Sequence, residues 1–144
     1  MLKTSQRPVK ACAFDLGNTL INDTQLARDA VVDMSEWLLN KSLIQSKEAF
    51  RATFERINHN TKQPFISHTF GELDFFEKTF DELAVNAVSA EAALGKYREI
   101  LMQKIHPDRD VFDAFQLLKQ HNIRIALLSN ERVVRVDSYL EKRI

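Results

Sequence analysis

Cysteine occurs once, at Cys12, so no disulfide can close within the chain and oxidative stapling plays no part in its stability. Glycine and proline are almost as scarce, three of each, which argues against a fold of many tight turns and for one built mostly of helices. An excess of either charge is missing too. The 20 lysines and arginines balance the 20 aspartates and glutamates, and a net charge of zero leaves no large basic surface for nucleic acid or an anionic membrane. No apolar run approaches the roughly 20 residues of a membrane span. The apolar stretch Ala11 to Phe14, behind Lys3, Arg7 and Lys10, ends on Asp15 and is too short for a secretory leader, so the sequence reads as cytoplasmic. What is present is 44% hydrophobic and 28% charged residues over 144 positions, the composition of a folded chain able to bury one core, about one domain by length.

Val9 to Phe14, opened by Pro8 and closed by Asp15, Leu16, Gly17 and Asn18, reads as a buried strand followed by a loop. After Asn22 and Asp23 the period lengthens. Leu26, Ala30, Met34, Trp37 and Leu38 recur at helical spacing and predict an amphipathic helix over about residues 24–40. Phe50, Phe54 and Ile57 predict a second, Leu73, Phe76, Phe80 and Leu83 a third, and Ala93, Tyr97, Leu101 and Ile105 a fourth, with Ser46 and Ser89 as N-caps. His106 and Pro107 interrupt this block. Val111, Phe112, Phe115 and Leu118 then predict a fifth helix from about Asp108 to Gln120. Ile123, Ile125, Ala126, Leu127 and Leu128 form a second strand that ends at Ser129 and Asn130, and Asn130 is a suitable N-cap for a last helix carrying Val133, Val136 and Leu140.

The order of strand, helical insert of about 85 residues, helix, strand and helix is that of a βαβ crossover with a small helical domain spliced in after the first strand. In open parallel sheets ligands bind beyond the carboxyl ends of the strands, and those ends carry Asp15 to Thr19 and Ser129 with Asn130. A carboxylate placed there, beside successive backbone N–H groups and the Thr19 hydroxyl, is suited to attack a phosphoryl group whose oxygens those donors hold. Carboxylate and phosphate repel each other. A magnesium ion with all-oxygen ligands offsets that repulsion, and the loop can supply two ligands, the Asp15 carboxylate and the Gly17 backbone carbonyl. Ser129 can donate its hydroxyl to the transferring phosphoryl group, with Asn130 and the following helix N-terminus adding N–H groups.

Ala13-Phe14-Asp15-Leu16-Gly17-Asn18-Thr19-Leu20-Ile21, a helical block, and then Ile125-Ala126-Leu127-Leu128-Ser129-Asn130 resemble the haloacid dehalogenase-like (HAD) hydrolase superfamily, over essentially the whole chain from Val9. The resemblance implies an α/β fold, a Rossmann-like parallel sheet core with an inserted helical cap: residues 1–21 and 106–144 as a partial core and 22–105 as the cap. It implies Asp15 as the nucleophile that forms an aspartyl-phosphate and Ser129 as the second-motif phosphate binder. Asn18, Thr19 and Asn130 join the phosphate-holding set, and Asp15 with Gly17 binds Mg2+. The activity implied is a magnesium-dependent phosphatase acting on a small phosphorylated metabolite.

Two departures keep other readings open. Most phosphatases of the superfamily place a second aspartate, the general acid and base, two residues after the nucleophile, where this chain has Gly17. A third-motif lysine and fourth-motif aspartates also find no match: Arg132, Arg135, Lys142 and Arg143 follow Ser129 too closely, and Glu131, Asp137 and Glu141 follow no apolar strand. The alternatives are a catalytically incompetent or truncated relative serving as a binding or assembly module and, more weakly, a dehalogenase. The 144 residues by themselves are expected to show negligible phosphatase activity. With the later strands missing, the first strand would be paired on one side only, so the expectation is either a longer protein or an oligomer that covers the open edge. Cys12 and Trp37 read as packing residues, and Phe65, Phe70, Phe75, Phe76 and Phe80 mostly as cap core; His59, His68, His106 and His121 have no ligand spacing and are assigned no function.

Overall fold

A computed structural model describes residues 8–60, 73–107 and 109–128. Their elements run β1 (Ala11–Phe14), α1 (Asp23–Asn40), α2 (Lys47–Asn60), α3 (Leu73–Glu82), α4 (Ala90–Lys104), α5 (Arg109–Gln120) and β2 (Arg124–Leu127), the order expected from the periodicities. The last helix expected from Val133, Val136 and Leu140 falls outside the described residues, as do Phe65, His68 and Phe70. The chain divides into two compact units, Met1–Asn22 with His106–Ile144, and Asp23–Ile105.

In the first unit β1 and β2 pair in parallel, Ala11 level with Arg124 and Phe14 with Leu127. Side chains alternate along both strands, so Cys12 and Phe14 share one face with Ile125 and Leu127. Helix α5 lies against that face, bringing Phe115 onto Phe14 at 5.3 Å between ring centroids. Ala11, Ala13, Arg124 and Ala126, on the opposite face, are exposed. The expectation of a buried strand therefore needs correcting: β1 is four residues long and only half-buried, as is Cys12. The cause is the number of neighbours. Among the described residues one strand pairs one edge of β1 and one helix covers one face, whereas a parallel strand reads as buried only when both faces are covered. Helix α5 has an apolar stripe but no fully buried residue, and Phe112 and Leu117 stay 44% and 55% exposed.

The second unit is four helices, in which α1 packs on α2 and α4, and α3 on α2 and α4. Helices α2 and α4 begin alike. Ser46 Oγ accepts the Ala49 N–H at 3.1 Å and Ser89 Oγ the Ala92 N–H at 3.2 Å, each satisfying one orphan donor of a first turn. The carboxyls of Glu48 and Glu91 sit below the usual range because backbone N–H groups and then these serine hydroxyls donate to them. Ser89→Ala is expected to lower stability by about 1 kcal/mol, measurable as a shifted urea midpoint at unchanged slope.

Three helices end without glycine. After α1, α3 and α5 a residue with positive φ, Ser42 (56°), Ala84 (52°) or Asn122 (58°), turns the chain back. In each case the next N–H, of Leu43, Val85 or Ile123, reaches the carbonyl five residues earlier, of Leu38, Phe80 or Leu118, at 2.8–2.9 Å. This is the Schellman closure, with an apolar residue at both ends of each bond.

The core of the helical unit is aromatic. Phe54 on α2 meets Phe50 (5.8 Å) on its own helix, Phe75 (6.3 Å) and Phe76 (5.1 Å) on α3, and Tyr97 (6.0 Å) on α4. Phe75, Phe76 and Phe80 are buried, as expected of cap core. Ion pairs Lys47–Glu36, Arg56–Glu82 and Lys104–Asp33 join neighbouring helices at the surface, but exposed pairs contribute about 0–1 kcal/mol each, so the aromatic packing dominates.

Burial pushes the Tyr97 phenol well above its ordinary value. The folded state thus favours the neutral phenol. Its contribution to stability is complete below about pH 10 and declines above it, by at most about 1.4 kcal/mol per pH unit. Tyr97→Phe cannot ionise and is expected to remove that part of the alkaline slope, measured by urea midpoints from about pH 9 to about pH 11. Among the described residues no helix is long and apolar enough to cross a membrane.

Candidate functional site

The loop after β1 is held from within. Leu16, Leu20 and Ile21 are buried, at 0, 4 and 4% exposure, while Asp15, Asn18 and Thr19 are exposed and Gly17 is half-buried. The N–H groups of Thr19, Leu20 and Ile21 all donate to the Leu16 carbonyl, at 3.4, 3.0 and 3.2 Å, and a parallel bridge joins Gly17 to Ile21. Apolar anchors at 16, 20 and 21 thus present the polar residues between them. Asn18, Thr19, Leu20, Ile21 and Asn22 line a depression of ≈ 270 Å³. Asn22 is a lining residue that sequence reasoning treated only as a break before the first helix; its place between Ile21 and the helix start was the available signal.

Asp15 directly follows β1. The Leu128 N–H donates to the Phe14 carbonyl at 2.8 Å, so β2 delivers the chain to the level at which β1 delivers Asp15, one strand spacing of about 4.8 Å away. Asp15, Gly17, Asn18 and Thr19 thus share one loop after β1, of which Asn18 and Thr19 line the depression and Asp15 and Gly17 do not. Ser129 and Asn130 lie outside the described residues.

No described residue makes a hydrogen bond or ion pair with the Asp15 carboxylate. That carboxylate and the Gly17 carbonyl are hard oxygen donors of the kind magnesium takes, and both fall in one five-residue loop. Among the described residues no group of three or more His, Cys, Asp or Glu is gathered for a metal. A larger cavity of ≈ 370 Å³ at the α1–α2 and α3–α4 turns has no charged, histidine or cysteine side chain in its lining and so offers no acid, base or nucleophile of that kind.

Comparison with known proteins bears on the same residues. The chain matches no curated protein. In fold it is similar to a magnesium-bound structure of the Bacillus subtilis protein YfnB, described as a HAD-hydrolase, with TM-score 0.60 and 14% identity over 94% of this chain. The chain spans 60% of the length of that protein. The family model for haloacid dehalogenase-like hydrolases matches residues 9–142, from the start of the first strand through the site loop and past β2. On that match the chain belongs to the haloacid dehalogenase-like hydrolases.

Proposed function

We propose that this chain carries the nucleophile and first phosphate-binding elements of a magnesium-dependent phosphatase for small phosphorylated metabolites. The observation that carries this reading is Asp15: a carboxylate at the carboxyl end of β1, exposed, engaged by no described residue, and leading a loop tied to one carbonyl. In the reaction an Asp15 carboxylate oxygen bonds to phosphorus as the ester P–O bond breaks. The leaving oxygen departs with its electron pair and takes a proton from water, because Gly17 offers no acid. Water then attacks the aspartyl-phosphate, releasing inorganic phosphate and restoring the carboxylate. Asn18 and Thr19, with Ser129 and Asn130, hold the phosphoryl oxygens. The Asp15 carboxylate and the Gly17 carbonyl would hold magnesium, which would supply charge neutralisation between nucleophile and phosphate.

In this reading residues 22–105 are the helical cap and residues 1–21 with 106–144 the partial core, and the protein works in the cytoplasm. It binds neither nucleic acid nor membrane. A second copy covers the edge of β1 that no strand pairs among the described residues, and with a net charge of zero no long-range repulsion opposes that association.

A second reading is favoured by Gly17, which puts no side-chain acid or base two residues after Asp15: a relative that binds magnesium and phosphate without turnover. Hydrolysis of an aryl phosphate with magnesium, by protein made from its full reading frame, separates the two. Turnover that disappears in Asp15→Asn supports the phosphatase, and binding of magnesium and orthophosphate at Asp15 without turnover supports the binding module.

A further inference from the structure

Four described residues other than glycine adopt positive φ, and three of them, Ser42, Ala84 and Asn122, close the C-termini of α1, α3 and α5. The fourth is Asn18, at φ 51°, which ends no helix and lies in the site loop. Here the left-handed conformation has a different effect. The peptide joining Gly17 to Asn18 carries both the Gly17 carbonyl and the Asn18 N–H. Downstream of it, Thr19, Leu20 and Ile21 are all tethered to the Leu16 carbonyl. With the chain fixed on both sides, the Gly17–Asn18 peptide can turn only by coupled rotation about the Gly17 Cα–C and the Asn18 N–Cα bonds, and of these two residues only Asn18 carries a side chain that restricts it. Moving φ from +51° to the usual value near −60° would swing the Gly17 carbonyl by more than a right angle relative to the anchored residues.

Resting on the reading of Asp15 and Gly17 as cation ligands, we infer that Asn18 is a positioning residue that aims the Gly17 carbonyl through its left-handed backbone, its side chain being dispensable for this. Asparagine suits the task because, after glycine, it tolerates this region best, whereas a β-branched residue is a clear outlier there. The residue with unrestricted φ, Gly17, stands one position earlier, so the left-handed step falls on a residue with a side chain.

The test compares Asn18→Gly, Asn18→Ala and Asn18→Val with the wild type and Asp15→Asn, titrating the full protein with magnesium chloride and following backbone amide NMR shifts of residues 15–19, well below the unfolding temperature. Glycine and alanine both remove the amide side chain, but only glycine takes positive φ without strain. The expected result is a magnesium midpoint within about two-fold of wild type for Asn18→Gly. For Asn18→Ala the midpoint should be weakened about five-fold, and for Asn18→Val about ten-fold or more, because a smaller fraction of molecules holds the competent loop. Equal weakening by glycine and alanine would show that the side chain matters and overturn the inference. Unchanged midpoints in all three variants would overturn it as well, even with lowered melting temperatures, since the backbone would then serve folding alone. Wild-type shifts that are absent, or that persist in Asp15→Asn, would overturn the site reading itself and the inference with it.

Discussion

In protein made from its full reading frame, Asp15→Asn is expected to reduce magnesium-dependent hydrolysis of an aryl phosphate by about 10⁴-fold or more while leaving the fold intact. The size follows from the role. An amide cannot form the acyl phosphate, so the two-step route closes, and removing a nucleophile from a working constellation removes nearly all that the constellation contributes. The same change replaces an anionic oxygen ligand by a neutral one, so the magnesium response of the loop should weaken in parallel. The expectation of an intact fold is equally specific. Asp15 is exposed and engaged by no described residue, and surface substitutions of that kind change stability by about 0.5 kcal/mol or less. Urea midpoints within that range, beside lost turnover, identify a chemical defect. A variant as active as the wild type would remove Asp15 from the mechanism, and with it the phosphatase reading.

Much of this architecture is written in periodicity. The spacing of Leu26, Ala30, Met34 and Leu38 places α1, and all four are buried; Ser46 and Ser89 mark the starts of α2 and α4 because a side-chain oxygen before an apolar repeat can satisfy a first-turn donor. The helix ends were less legible. Glycine is the usual sign of a left-handed closure, and Ser42, Ala84 and Asn122 take that conformation without it. Strand burial was misread for a related reason: the run from Val9 to Phe14 records that its residues are apolar, whereas burial depends on which partners come to both faces and edges, and those are set far along the chain. At the site, the sequence shows a carboxylate followed by small and polar residues. It does not show that three N–H groups would converge on the Leu16 carbonyl, nor that the left-handed step would fall on Asn18 and not Gly17, because both depend on how Leu16, Leu20 and Ile21 are anchored.

Phe54→Ala should have the largest effect on stability, a loss of about 3–5 kcal/mol. Phe54 is 2% exposed and meets aromatic side chains of α2, α3 and α4, four rings in all. Truncation leaves a cavity bordered by Phe50, Phe75, Phe76 and Tyr97. Rings of that size, held on three helices, cannot collapse into it without moving backbone, so the transfer loss and the cavity term both count. Alanine's higher helix propensity returns about 0.5 kcal/mol, too little to offset either. Against a typical total of about 5–15 kcal/mol, the loss removes a large part of the margin and should lower the melting temperature by roughly 15–30 °C, read by far-ultraviolet circular dichroism. Phe112→Ala on α5 is the informative control. The residue type is the same, but its ring is 44% exposed, so its loss should stay near 1 kcal/mol. A Phe54→Ala variant that melts no earlier than Phe112→Ala would mean that the aromatic cluster does not organise the helical unit, and the buried aliphatic residues such as Leu26, Met34, Leu38 and Leu101 would then have to do so.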